Sequence, residues 1–265
     1  RAYLFIERAR TYDAVENERQ AREAARAFGL FQHLLNDLPG PPLHESIPGF
    51  HHTPGRFTAL LDAVSADAHG RAASAQAEID FFLRRETDVY ALAGLQAEGA
   101  IPVRITHNDT KLNNVMIDDQ TGEGVCVIDL DTVMPGLALY DFGDMVRTAT
   151  SRSREDERDL SRIHMQMPMF SALVRGYLES ASAFLNPVEV EHLPFSGKLI
   201  TLETGMRFLA DYLNGDVYFK TSRPGHNLDR CRTQCALVRS IEDQVDDMMR
   251  AVETIHGELR GRALA

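Results

Sequence analysis

Apolar residues recur with a helical period through the first third and the last half of the chain, and with a strand period in between. From Asn17 to Leu38, the residues Ala21, Ala24, Phe28, Phe31, Leu34, Leu35 and Leu38 fall on one helical face, and Pro39-Gly40-Pro41-Pro42 ends the run. Phe57, Leu60, Leu61 and Val64 predict a second helix, and Ile79, Phe82, Leu83 and Leu92 a third. The stretch from His44 to Gly55 reads as a loop rich in Pro, Gly and His, with His51 and His52 solvated. From Tyr140 the helical period returns, with Phe170, Leu173, Val174 and Tyr177, then Leu199, Leu202, Met206 and Leu209. Leu237, Ile241, Val245, Met248, Val252 and Ile255 predict one long final helix.

The middle differs. Val103-Arg104-Ile105-Thr106, Val115-Met116-Ile117 and Val125-Cys126-Val127-Ile128 read as short strands, the last two joined by the turn-rich segment Asp118 to Gly124. Ala2 to Ile6 forms another strand-like run at the start. The expectation is a helical body holding a small β island, and such a loop-rich island is where a site should be sought.

Charge and cysteine usage narrow the function classes. A formal charge of −11 opposes binding to a phosphate backbone, so nucleic acid is excluded as a partner. No run approaches the roughly 18 apolar residues of a membrane helix, and no signal-peptide pattern opens the chain, which points to a soluble cytoplasmic protein that does not engage a membrane. The three cysteines, Cys126, Cys231 and Cys235, are too few and too uneven for a disulfide framework, and Cys231 and Cys235 read as small buried residues.

The chemistry concentrates in one segment, HNDTKLNNVMIDDQTGEGVCVIDLD, from His107 to Asp131. It contains His-x-Asp-x-x-x-x-Asn, as His107, Asp109 and Asn114, followed by a hairpin whose second strand ends at Ile128-Asp129. Phosphoryl transfer needs an oxygen acceptor near the attacking hydroxyl and oxygen ligands for magnesium on the nucleotide phosphates. The hairpin brings the end of its second strand back beside Asn114, so Asn114 and Asp129 converge although 15 positions (129 minus 114) separate them.

This segment resembles the catalytic core of the aminoglycoside phosphotransferase and choline kinase superfamily, which shares the protein-kinase fold. Within it, HNDTKLNNVM, VIDLDTVMPGLALYDFGD, ETGMRFLADYLNGDVYFK and HNLDRCRTQ are most similar to N-acetylhexosamine 1-kinases, and the likeness runs through essentially the whole chain. The resemblance implies an α+β, protein-kinase-like fold, mainly the helical C-lobe with the small hairpin at the catalytic loop. It implies transfer of the γ-phosphoryl group of ATP, with Mg2+, to the anomeric hydroxyl of a small sugar acceptor, by a monomer. Asp109 would take the hydroxyl proton, Lys111 would meet the transferring phosphate, and Asn114 and Asp129 would hold magnesium. Arg207 and Tyr218 match sugar-contacting positions, and Thr110 is a further acceptor contact by its place next to the base. His107 would brace the loop, with Asp131 as an outer or second-metal carboxylate. A kinase for another alcohol (an aminoglycoside or choline) and a non-catalytic sugar-binding module are the alternatives. A sulfatase is disfavoured, because the nearest approach to its nucleophile motif, Ser222 to His226, ends in His instead of Arg.

Parts of the implied fold have no counterpart. No Gly-rich phosphate loop precedes the catalytic segment, and the first lysine in the chain is Lys111 itself. Residues 1–8 are therefore read as the last strand of a missing N-lobe with the hinge, and 9–265 as the helical C-lobe with catalytic loop and acceptor pocket. Such a fragment is expected to have little or no kinase activity in isolation.

A second aspartate competes for the metal. Tyr140-Asp141-Phe142-Gly143-Asp144 contains the tripeptide that binds magnesium in protein kinases, but Asp141 lies 32 positions after Asp109 (141 minus 109) and opens a helical run. Asp129 lies 20 after it (129 minus 109) and ends the hairpin. Asp141 is read as a helix cap or loop brace, whose carboxylate meets free backbone donors.

Overall fold

The computed structural model describes residues 4–263. Its first strand, β1 (Ala9–Arg10), pairs antiparallel with Ile117-Asp118. Helix α1 (Glu18–Leu35) follows, capped by Asn17, whose side chain accepts the Gln20 N–H at 3.0 Å. Helices α2 (Thr53–Ala66), α3 (Gln76–Leu83), α4 (Glu86–Val89) and α5 (Ala91–Ala97) lead to strands β2 (Arg104–Thr106), β3 (Val115–Asp118), β4 (Gly124–Val127) and β5 (Met134–Gly136). The C-terminal part is helical: α6 (Ala138–Ala149), α7 (Met167–Ala181), α8 (Pro187–Glu191), α9 (Leu193–Leu213), α10 (His226–Glu242) and α11 (Val245–Ala263). The strands form two antiparallel sheets, ordered β1-β3-β4 and β2-β5. This is the mixed, mainly helical architecture expected of the kinase-like fold.

Two hydrophobic clusters meet along α9. One gathers α1, the β3-β4 hairpin, α6, α7 and α11; the other gathers α2, α3, α10 and the second half of α9. Leu199 and Ile200 enter the first and Leu202, Met206 and Leu209 the second, so α9 is buried along most of its length. Helices α1 and α7 cross closely, because a Cβ at Gly176 would strike the Arg22 carbonyl.

Three expected elements differ. Of the opening strand, Ala2 and Tyr3 lie outside the described residues; Leu4 to Ile6 are not strand, and Leu4 and Phe5 are exposed. The pairing falls instead on Ala9↔Asp118 and Arg10↔Ile117. The third helix is three short ones, α3 to α5. The final helix breaks between α10 and α11, where Gln244 donates from its side chain to the Met165 and Ser240 carbonyls at 2.9 Å each, tying the turn to the chain before α7. Strand β5 was not foreseen, since Met134-Pro135-Gly136 has no strand-like composition.

Candidate active site

The loop from β2 to β3 is shaped by Asn108, which stands at φ +66°, in the left-handed region that Asn tolerates better than most residues. Every polar group of Asn108 is engaged. Its N–H donates to Asp141 Oδ1 (2.7 Å), its side-chain amide donates to the Thr132 carbonyl (2.9 Å), and its Oδ1 accepts from Thr106 Oγ1 (3.0 Å). Its carbonyl accepts from His51 Nε2 (3.0 Å). His107 is fully buried, edge-on to Phe28 and Phe31. Its Nε2 donates to the Ile128 carbonyl at 2.9 Å, which leaves Nδ1 to accept the Asp109 N–H at 3.3 Å. His107 thus ties the loop to the end of β4, immediately before Asp129.

Tyr140-Asp141-Phe142-Gly143-Asp144 lies in the first half of α6 and serves this loop from below. Asp141 is fully buried and accepts three N–H bonds: from His107 N (2.9 Å), Asn108 N (2.7 Å) and Gln32 Nε2 (2.6 Å). Burial pushes its carboxyl above the ordinary range, and His107 with these donors offsets that in part. Asp144 accepts the Thr110 N–H at 3.0 Å and pairs with Arg147 at 2.8 Å. Burial works against its charge, but Arg147, Lys111 and His51 overcome it and hold the carboxyl below its usual range. Phe142 fills the core against Phe170 and Tyr177. Gly143 has no room for a Cβ, which would meet the Ser196 backbone and stand 2.7 Å from Ile200 on α9.

The reactive groups sit on top. Lys111 Nζ lies 2.7 Å from Asp109 Oδ1. Asn114 donates from Nδ2 to the Asp109 carbonyl (2.8 Å) and carboxylate (3.2 Å), which leaves its Oδ1 free to act as an acceptor. The Asn114 carbonyl accepts the Ile128 N–H at 2.9 Å, so Asp129, at φ +60°, emerges one residue past the ladder beside Asn114. Asp129 is exposed, and no hydrogen bond or ion pair engages its carboxylate among the described residues. The donor set, one amide oxygen and one free carboxylate, suits a hard cation that takes its remaining ligands from phosphates and water. Among the described residues no group of three His, Cys, Asp or Glu forms a cage made by protein alone.

The profile of the phosphotransferase enzyme family (APH) matches residues 2–166, more than half of the chain. The chain belongs to that family. It is a phosphotransferase. Its fold is similar to that of choline kinase from Cryptosporidium parvum Iowa II, with a TM-score of 0.52 and 14% identity, over 94% of this chain and 73% of that one. Plasmodium vivax ethanolamine kinase is similar with a TM-score of 0.52 and 15% identity, over 87% of this chain and 64% of its own. At such identities the likeness is one of fold.

Two cavities take in Lys111, Arg207 and Tyr218. The larger, about 800 Å³, opens beside Lys111 and runs between residues 13–16, Leu112-Asn113, the segment after α6 and the α10 face carrying Arg230. Arg207 and Tyr218 line a separate cavity of about 180 Å³ with Arg56. Arg207 does not pair with Asp211 four residues on; Asp211 accepts the N–H groups of Val217, Tyr218 and Phe219 (2.8 to 3.0 Å). The Arg207 guanidinium lies instead over the rings of Phe50, Phe219 and Tyr218 at 5.3 to 5.9 Å. The structure therefore joins Asp109, Lys111 and Asn114, sets Asp129 one residue past the backbone pairing of Ile128 with Asn114, and puts Arg207 and Tyr218 in a cavity separate from that of Lys111. Thr110 departs from its expected role, being buried with its hydroxyl donated to the Asp141 carbonyl at 2.6 Å, so it faces the fold and not an acceptor. The Asp131 carbonyl accepts from Ser46 Oγ at 3.1 Å.

His51 corrects the expectation of a solvated loop. His52 is exposed and caps α2, but His51 is buried between Glu203 (2.7 Å) and the Asn108 carbonyl. The signal for this was Glu203 itself, an acid on the apolar face of α9 among Leu199, Leu202 and Met206. A fully buried carboxylate requires a partner.

Proposed function

We propose that this phosphotransferase transfers the γ-phosphoryl group of ATP, with Mg2+, to the anomeric hydroxyl of an N-acetylhexosamine. The observation that carries the reaction is the convergence of Asp109, Lys111 and Asn114 on one braced loop with Asp129 alongside. Asp109 accepts the proton of the attacking hydroxyl. Lys111, now on Asp109, reaches the transferring group as the negative charge on its oxygens develops. Asn114 Oδ1 and the Asp129 carboxylate hold magnesium, which when bound neutralises charge on the nucleotide phosphates.

The choice of acceptor rests on what surrounds the loop. A quaternary ammonium is recognised by an aromatic cage. Among the described residues the large cavity beside Lys111 is lined by no Phe or Tyr, and its Arg147, Arg152, Arg154 and Arg230 share it with Asp13, Glu16, Glu155 and Asp156. In the smaller cavity Arg207 already covers the Tyr218 and Phe219 faces. The lack of an open aromatic cage disfavours a quaternary ammonium, and a lining that mixes guanidinium donors with carboxylate acceptors suits a neutral, polyhydroxylated acceptor, whose hydroxyls both accept and donate.

Phosphorus NMR of the full-length protein with ATP, magnesium and a panel of sugars, choline and ethanolamine tests this, with Asp109→Asn as control. A sugar 1-phosphate formed only by the unsubstituted protein is expected. A sugar 6-phosphate, or product from choline or ethanolamine alone, overturns the acceptor assignment.

A further inference from the structure

The peptide unit joining Asn108 to Asp109 is gripped at both ends by imidazoles. His51 Nε2 meets its carbonyl at 3.0 Å and His107 Nδ1 meets its N–H at 3.3 Å. The partners assign the protons differently in the two rings. His107 faces one acceptor and one donor, which a neutral ring satisfies. His51 faces acceptors on both sides, the Glu203 carboxylate at 2.7 Å and a backbone carbonyl, so it must donate from both nitrogens. The other Glu203 oxygen accepts from Thr53 Oγ1 at 2.6 Å, and Arg207 one turn along α9 favours the ionised carboxylate.

We infer that His51 is a buried imidazolium that positions the catalytic loop: held by Glu203, it fixes the Asn108–Asp109 peptide plane and, through it, the direction of the Asp109 carboxylate. The inference rests on the reading of Asp109 as the proton acceptor. Asn108 depends on this contact because its left-handed backbone leaves its carbonyl no ladder partner. Loss of the His51 proton removes one of the two donors and leaves either one buried oxygen of Glu203 or the buried Asn108 carbonyl without its partner.

The surroundings favour the charged ring. Glu203 and Arg207 face it or its partner from α9, Tyr140 (ring centroids 5.5 Å apart) and Asp144 from α6, and Arg56 approaches Glu203 from α2. Glu45 and His52 line the adjacent cavity with it, and Asp141 holds the N–H of Asn108. Burial opposes the proton on His51, yet Glu203 and Asp144 outweigh it and hold the ring above the usual histidine range. Burial beside Glu203 keeps the Tyr140 phenol neutral.

Two measurements on the full chain test the inference. In ¹⁵N-histidine NMR at pH 7, the ring assigned to position 51 by its proximity to the Phe50 and Tyr140 rings is expected to carry protons on both nitrogens; a ring with one bare nitrogen overturns the inference. In kinetics, His51→Gln keeps one donor and is expected to lower kcat by roughly 10- to 100-fold while KM for ATP changes less than about twofold, as for a displaced catalytic group. The parent should lose kcat at alkaline pH as His51 deprotonates, and this limb should vanish in His51→Gln. An unchanged kcat, or the same alkaline limb in the variant, refutes the role. The NMR reading needs no substrate, so a wrong acceptor and a wrong assignment of His51 are told apart.

Discussion

Replacing Asp141 by Ala tests whether the Asp-Phe-Gly tripeptide is a brace or a metal ligand. The substitution strands three donors now satisfied by one carboxylate: the N–H groups of His107 and Asn108 and the Gln32 amide. Each buried donor left without a partner costs about 1–3 kcal/mol. The carboxylate's own burial, which raises its proton affinity, is relieved at the same time and offsets part of the loss. A net cost of about 4 kcal/mol follows, which in a chain of this size lowers the melting temperature by roughly 8 to 16 °C. The assay pairs a melting curve with phosphoryl transfer measured well below the variant's midpoint. Asp141→Ala should lose much stability and retain a measurable part of its transfer. Asp129→Ala removes an exposed carboxylate that has no partner among the described residues, and should melt with the parent while transfer is abolished. An Asp141→Ala protein that melts within about 2 °C of the parent and transfers no phosphoryl group would refute the reasoning, because Asp141 would then act on metal or substrate and hold nothing else.

Other outcomes follow from the same geometry. Asp109→Asn keeps the shape of the base but cannot take a proton, and kcat should fall by about 10²- to 10⁴-fold with an unchanged melting curve. Gly143→Ala forces a Cβ against the Ser196 backbone and Ile200, so α6 must separate from α9; a loss of about 1–3 kcal/mol in denaturant titration is expected, and a neutral result would show that the helices adjust freely. Asp144 has its proton affinity lowered in the folded state, so its stabilising effect is complete above about pH 4, the unfolded value, and is lost as pH falls through the lower folded value. The acid arm of the stability curve should therefore be shallower in Asp144→Asn than in the parent. Arg207→Leu should raise KM for the acceptor and leave KM for ATP within about twofold, provided the smaller cavity takes part in acceptor binding.

The order of elements could be read from periodicity because each helix hides one stripe and each hairpin strand alternates. Ala21, Ala24 and Phe28 are all buried, and Val115 and Ile117 face the core as β3 requires. The different places of Asp129, just past the hairpin, and Asp141, in the first turns of α6, were also legible, since they follow from hairpin geometry and helix position alone. What periodicity does not register is a break made by a side chain. Leu237 through Ile255 keep a helical spacing across Asp243-Gln244, yet Gln244 turns aside to the Met165 carbonyl, and that partner lies 79 residues away. Strand β5 escaped for the same reason, because its pairing with β2 comes from the return of the chain and not from its own composition.

The catalytic loop shows where local reading ends. Asp109, Lys111 and Asn114 lie within six residues and announce their chemistry by spacing, but the groups that aim them come from elsewhere: Gln32 on α1, Asp141 and Asp144 on α6, and Glu203 on α9 through His51. Two of these were visible as anomalies. Asp141 stands in a run otherwise bound for the core, and Glu203 interrupts the apolar face of α9, and neither acid can remain buried without donors. An acid on an apolar helical face predicts that donors will converge on it without naming them. For Asp141 the donors are loop N–H groups that the neighbouring catalytic motif could have suggested. For Glu203 the donors are His51 and Thr53, 152 and 150 residues away, in a segment whose composition reads as an exposed loop. The buried carboxylate is thus the better guide to a second layer of site residues, and His51 is the residue it recovers here.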